Sequence, residues 1–177
     1  IRKMKALFLT IFLASCMTIQ AQVDAFHKDI IDMMMIKGEQ ISGSLAFHDV
    51  FPKLKRNFKS NNIAPEVWQE MKGDEAKQVA TYMDQAAYAY RQFFDLDDIQ
   101  NMTEFYLTEA GQAYAFGEDL SAKQKGELAQ FLASDTGESW AAHKTEVEED
   151  LAQTRRDWSA QVFKEKMKAL IKQGHLN

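Results

Sequence analysis

The stretch Val79-Ala-Thr-Tyr-Met83-Asp-Gln-Ala-Ala87-Tyr-Ala-Tyr90-Arg-Gln-Phe-Phe94 decides the fold. Val79, Met83, Ala87, Tyr90 and Phe94 recur at steps of three and four, the spacing that lines one face of an α-helix. No stretch of the chain alternates convincingly with the period of two that a half-buried strand needs. The helical spacing returns in Phe26, Ile30, Met33 and Met34, in Phe47, Phe51, Leu54 and Phe58, and in Ile99, Met102 and Phe105. Val147, Leu151, Trp158 and Val162 carry it again with one heptad skipped. The expected fold class is all-α: a multi-helix bundle of stacked helical hairpins, closed by one long C-terminal helix over residues 134–172.

Helix boundaries follow from turn chemistry. Pro52 falls inside the second stripe, where its missing N–H and its ring are expected to kink or break the helix. Pro65 follows Asn61-Asn62-Ile63-Ala64 and suits the first turn of a short helix carrying Val67, Trp68 and Met71. Gly73 and Asp74 supply a stop and a new N-cap, and Ser121 caps a helix running through Leu128 and Phe131. No Gly/Ser or Pro-rich linker divides the chain, so residues 22–177 are expected to form a single all-helical domain. One cysteine, Cys16, excludes a disulfide framework and any multi-cysteine zinc site.

Residues 1–21 read as an export signal. Arg2, Lys3 and Lys5 precede the apolar run from Ala6 to Ala14, which is far shorter than the roughly 18 residues a membrane span requires. Met4 is the expected initiator. Cleavage after Ala21 leaves Gln22 as the first mature residue and places the protein in the periplasm; the ending Ile19-Gln20-Ala21-Gln22 resembles signals of exported Bacteroidetes-type proteins. The alternative is a lipoprotein: Leu13-Ala14-Ser15-Cys16 is similar to a lipobox, and a membrane is expected as a partner only if Cys16 is lipidated.

Without residues 1–21 the chain keeps 18 basic and 26 acidic side chains, a net charge of −8, and nucleic acid is not an expected partner. The charge is uneven. Residues 95–150 hold 14 acidic and 3 basic side chains, whereas residues 151–177 hold 2 acidic and 6 basic. The macrodipole supplies one reason for Lys164, Lys166, Lys168 and Lys172 near a helix C-terminus. The acidic segment is expected either to attract a basic envelope surface or to be covered by the chain's own basic tail.

A shift of 26 residues lays Met102–Tyr114 over Leu128–Trp140. Phe105 then matches Phe131 and Gly111 matches Gly137, while Thr108 faces Ser134, Glu109 faces Asp135 and Tyr114 faces Trp140. In each copy one helix is expected to end just after the phenylalanine. The hydroxyl then caps the next helix, and the glycine admits a close helix approach. Such a duplicated helix-turn-helix implies stacked hairpins with Phe105 and Phe131 buried.

The segment from Phe94 to Gly111 resembles the exported bacterial family called Domain of Unknown Function 2059. Members show an aromatic residue, an acidic-leucine pair, Phe-Tyr, a Ser-Pro turn and a glycine. Asp98-Ile99, Phe105-Tyr106, Thr108 and Gly111 stand in those positions here, with Glu109 where proline is usual and Thr108 in place of serine. Phe51-Pro52, Pro65-Glu66-Val67-Trp68 and Asp157-Trp158 extend the similarity. The resemblance implies an exported all-α domain and carries no catalytic residues over.

Catalytic constellations are sparse. Carboxylate-bridged di-iron bundles need two Glu-x-x-His pairs. Three residues before His27, His48, His143 and His175 stand Asp24, Leu45, Trp140 and Lys172, so one near-match arises. No nucleophile elbow, dinucleotide loop or P-loop occurs. Met33, Met34 and Met35 with His27 suggest a soft-metal set, but three consecutive helical residues spread over about 200° and suit core filling better. Tyr90 and Phe94 lie on the core stripe, while Tyr82 and Tyr88 fall off it and are placed to line a groove.

The sequence thus assigns no catalytic, cofactor-binding or metal-ligating residue and no cofactor. The expected function is a non-catalytic exported helical module that binds another envelope component, a protein or a ligand, through its helix surfaces. Two other classes stay open: an enzyme using dispersed Asp98, Glu104 or His143, and a metal carrier using His27 and the methionines.

Overall fold

Each apolar stripe is a helix in the computed structural model, which describes residues 25–58 and 62–175. The export segment and Cys16 lie outside the described residues. The helices are α1 (25–36), α2 (Glu39–Asn57), α3 (Pro65–Glu70), α4 (Glu75–Arg91), α5 (Leu96–Tyr106), α6 (Glu109–Phe116), α7 (Ala122–Leu132) and α8 (Asp135–Lys172). No strand occurs among the described residues. The chain is an all-α multi-helix bundle.

Helices α2, α4 and α8 pack against one another and form the centre of the bundle. Cross-links fix their directions. Glu39 meets Tyr82 and Ser44 meets Glu75, so α2 and α4 run antiparallel. Gln92 meets Asp150 while Asp74 meets Lys166, so α4 and α8 are antiparallel too. Helices α2 and α8 therefore run parallel. Phe47 and Leu54 from α2, Tyr82, Ala86 and Tyr90 from α4, and Trp140, Val147, Trp158 and Leu170 from α8 fill the space between them. The 38 residues of α8 span about 57 Å, long enough to lie along both the central helices and the stacked hairpins α5–α6–α7.

Helix α1 turns into α2 through Lys37 and Gly38. Gly38 has φ 86, a conformation that favours glycine, and the exposed Phe116 ring lies over the place a Cβ would take. Lys37 closes this corner by donating to the Tyr90 hydroxyl at 2.9 Å, with its ammonium 4.7 Å from the centre of the Trp140 ring.

Pro52 does not break its helix: α2 runs unbroken from Glu39 to Asn57. Pro52 and His48 both face solvent, so the carbonyl that the ring deprives of a partner has access to water, while Phe51 and Leu54 anchor the turn in the core. Asp74 occupies the N-cap position of α4 without capping it. Its carboxylate instead accepts from Lys166 and Gln78. Ser121 forms a full capping box with Gln124, and Asp95 caps α5 through the Asp98 N–H at 2.9 Å.

The junctions α5–α6 and α7–α8 are built alike. Thr108 Oγ1 donates to the Phe105 carbonyl at 2.7 Å and accepts from Gly111 N–H at 3.0 Å. Ser134 Oγ donates to the Phe131 carbonyl at 2.6 Å and accepts from Gly137 N–H at 3.2 Å. A Cβ at Gly111 would overlap the Phe105 carbonyl oxygen, and one at Gly137 would overlap that of Phe131. The close approach that each glycine permits is thus to the helix just before it. Phe105 is buried, but Phe131 is only half-buried, because α7 lies on the outside of the stack and buries none of its residues fully.

Candidate functional site

Asp98, Glu104 and His143, from which an enzyme could have been assembled, each have separate surroundings, although Glu104 lines one opening with Asn101 and Thr136. Asp98 accepts from the Thr136 hydroxyl at 2.8 Å, and Thr136 in turn accepts from Asn101 at 3.1 Å, a clamp between α5 and the first turn of α8. Glu104 is exposed. His143 stacks on Phe93 with ring centroids 4.7 Å apart. No hydrogen bond joins any two of Asp98, Glu104 and His143 among the described residues.

The soft-metal set is divided by the helix that carries it. Met33 and Met34 are fully buried core residues, Met35 is half-exposed, and the His27 ring meets Asp84 at 3.0 Å. Among the described residues no three His, Cys, Asp or Glu side chains gather as a metal site.

Tyr82 lines no groove. It is fully buried, donates to Glu39, and receives Arg155 Nε at 3.2 Å, while Arg155 Nη2 reaches Glu39 at 3.0 Å. Burial and the nearby Glu39 carboxylate push the Tyr82 phenol well above its ordinary value, so it is a neutral donor at physiological pH. Desolvation works against the Arg155 charge, but Tyr82 and Glu39 outweigh it and raise its pKa. Glu39, Tyr82 and Arg155 thus tie the three central helices together.

The basic tail does not return over the acidic hairpins. Its cations pair elsewhere: Lys166 donates to Asp74 at 2.5 Å and Arg155 to Glu39 at 3.0 Å, and neither carboxylate belongs to the acidic segment 95–150. Only Lys172 lies in the last turn of α8, so the macrodipole does not explain Lys164 or Lys166, because its effect fades within one turn.

What the parallel pairing of α2 and α8 creates is a groove of about 500 Å³ lined by Lys53, Arg56, Arg156 and Lys164 over a floor that includes Val50 and Phe163. All four cations are exposed. Lys53, Arg56 and Lys164 have no ion-pair partner among the described residues, and Arg156 meets only the neutral Gln153 at 2.6 Å. Among the described residues no carboxylate lines this opening. An adjoining cleft shares Lys53, Arg156 and Ser159 and ends at Asp49 beside Arg155, whose charge Glu39 already engages. The local field is positive on a chain of negative net charge, and guanidinium forks beside ammonium groups suit phosphate, sulfate or carboxylate oxygens.

This groove escapes a reading of the sequence because its halves stand about a hundred residues apart. The one local signal was charge segregation, and it pointed to the acidic segment instead. The chain matches no family model, no curated protein and no solved structure.

Proposed function

We propose that this chain is an exported, non-catalytic helical binding module of the bacterial envelope, and that it captures an anionic component through the groove between α2 and α8. The observation that carries the proposal is the gathering of Lys53, Arg56, Arg156 and Lys164 around one opening with no acidic lining among the described residues, on a chain of negative net charge. Four like charges held together repel one another, and a bound oxyanion would relieve that cost.

Export rests on the basic and apolar residues of 1–21, with soluble periplasmic release after Ala21 preferred to lipidation at Cys16. Among the described residues no helix is long and apolar enough to cross a membrane. Kinship with Domain of Unknown Function 2059 is proposed on Asp98-Ile99, Phe105-Tyr106, Thr108 and Gly111. The matched chemistry at Phe105 and Phe131, Thr108 and Ser134, and Gly111 and Gly137 supports two copies of one helix-turn-helix unit.

The test is retention of the mature protein on a sulfated polymer at low salt. Reversal of all four cations (K53E, R56E, R156E, K164E) should abolish retention without lowering the melting temperature, since each is exposed. Reversal of Lys123 and Lys125 on α7 should leave it intact. Retention that survives the groove reversal would remove the groove from the proposal. Intact mass tests export: Gln22 at the amino terminus is expected, and an acyl group on Cys16 would establish the lipoprotein alternative.

A further inference from the structure

We propose that the groove takes a linear chain of repeated phosphates laid along its length, and not a single compact anion; this rests on the groove being the anion site. The cations occupy two stations. Lys53 and Arg156 line both adjoining openings, whereas Arg56 and Lys164 line only one, so the second pair lies further along the groove. On α8, Arg156 and Lys164 are eight residues apart, about 12 Å along the axis, and on α2 Lys53 and Arg56 are separated by about 4.5 Å. One phosphate reaches both stations only if long, exposed side chains fold toward each other, which crowds like charges at hydrogen-bond distances of about 2.7–3.2 Å. A chain bearing several reaches both without that crowding.

The ends of the track fit a ligand that enters and leaves. All four cations are exposed along the groove edge, so a chain can lie in it with both ends in water. Past Lys53 the cleft meets Asp49, whose carboxylate repels further phosphate, and Arg155 there is held by Glu39 and Tyr82. The bound length is therefore set by two stations. Two guanidinium forks and two ammonium groups match repeated phosphate oxygens. Among the described residues the one aromatic side chain in the lining is the half-buried Phe163, which provides no platform for successive bases, so a base-bearing strand is disfavoured.

The experiment is titration calorimetry of the mature protein at low salt with orthophosphate, pyrophosphate, tripolyphosphate and long-chain polyphosphate. Affinity should climb with length, by about tenfold or more from orthophosphate to the long chain. The logarithmic salt slope should grow as more cations are neutralised. Lys164→Gln, and separately Lys53→Gln at the other station, should each erase most of that gain and weaken orthophosphate far less, because a single phosphate keeps the station left intact. Equal affinity for orthophosphate and the long chain would overturn the lengthwise mode and leave the groove an anion site. Tighter binding of a thymidine oligonucleotide than of polyphosphate would overturn the ligand class. Failure of every phosphate, with retention on the sulfated polymer still lost in the groove reversal, would sink this inference alone; loss of the sulfated polymer's dependence on the groove would sink both.

Discussion

The rings of Phe105 and Phe131 stack face to face, with centroids 4.1 Å apart and planes 4° from parallel, so the two alike junctions touch through their matching aromatic residues. The pair joins the end of α5 to the end of α7, and its two members differ in burial. Phe105→Ala should cost about 3–5 kcal/mol as a core deletion, and Phe131→Ala about 1–2 kcal/mol, because only part of its surface leaves water. The double variant should cost less than the sum by about 0.5–1.5 kcal/mol, the contribution of the stack itself. Urea unfolding measures all three, and strict additivity would show that the stacked geometry contributes nothing.

Glycine matters unequally along this chain. At Gly111 and Gly137 a methyl group meets a backbone carbonyl, which cannot swing aside as a side chain can. Alanine at either position should cost about 2–3 kcal/mol. Gly126 lies in the exposed middle of α7 with open space around it, and Gly126→Ala should stabilise by about 0.5–1 kcal/mol. Thermal melts of the three variants decide the point; a harmless Gly137→Ala would mean that the α7–α8 junction is looser than drawn.

Removing Arg155 strands the Glu39 carboxylate, whose side chain keeps only 10% of its exposure. Arg155→Met should cost about 2–4 kcal/mol, less than a fully buried pair because a third of the arginine side chain reaches water. Adding Glu39→Gln should restore part of the loss. Tyr82→Phe, which removes one hydroxyl from the same cluster, should cost about 1 kcal/mol. If Arg155→Met and the double variant melt alike, the carboxylate is being satisfied by water.

The Asp74–Lys166 pair makes stability depend on acid. Burial tends to raise the Asp74 pKa, but hydrogen bonds from Lys166 and Gln78 and the lysine charge outweigh it, so the folded value lies below the ordinary one of about 3.9. A depressed carboxyl contributes stability in full above its unfolded pKa and loses it as pH falls through the folded one. Asp74→Asn should therefore be less stable near neutral pH, and its urea midpoint should fall less steeply below about pH 4. An acid slope equal to that of the native chain would show that Asp74 carries none of it.

Much of the fold was legible in the residues themselves. The stripes through Met83, Ala87 and Tyr90 and through Val147, Leu151 and Trp158 mark buried faces because a helix repeats every 3.6 residues. Thr108, Ser134 and Ser121 announce helix starts because a hydroxyl serves N–H groups only two or three residues away. Asp74 was placed correctly as a boundary and wrongly as a cap, since Lys166, 92 residues further on, competes for its carboxylate.

Local chemistry determined where this chain is helical, where its helices begin, and which face of each seeks the core, for those preferences act over one or two turns. Which helices became neighbours was decided only in three dimensions. Tyr82 falls off the stripe read from the sequence, yet with Ala86 and Tyr90 it belongs to a wider buried face, and Glu39 and Arg155 arrive from α2 and α8 to satisfy its hydroxyl. Lys53 and Arg56 become half of a cationic groove because α8 lays Arg156 and Lys164 alongside them. Side chains a hundred residues apart share a site only through the packing of the helices between them, and no periodicity within one helix encodes that meeting.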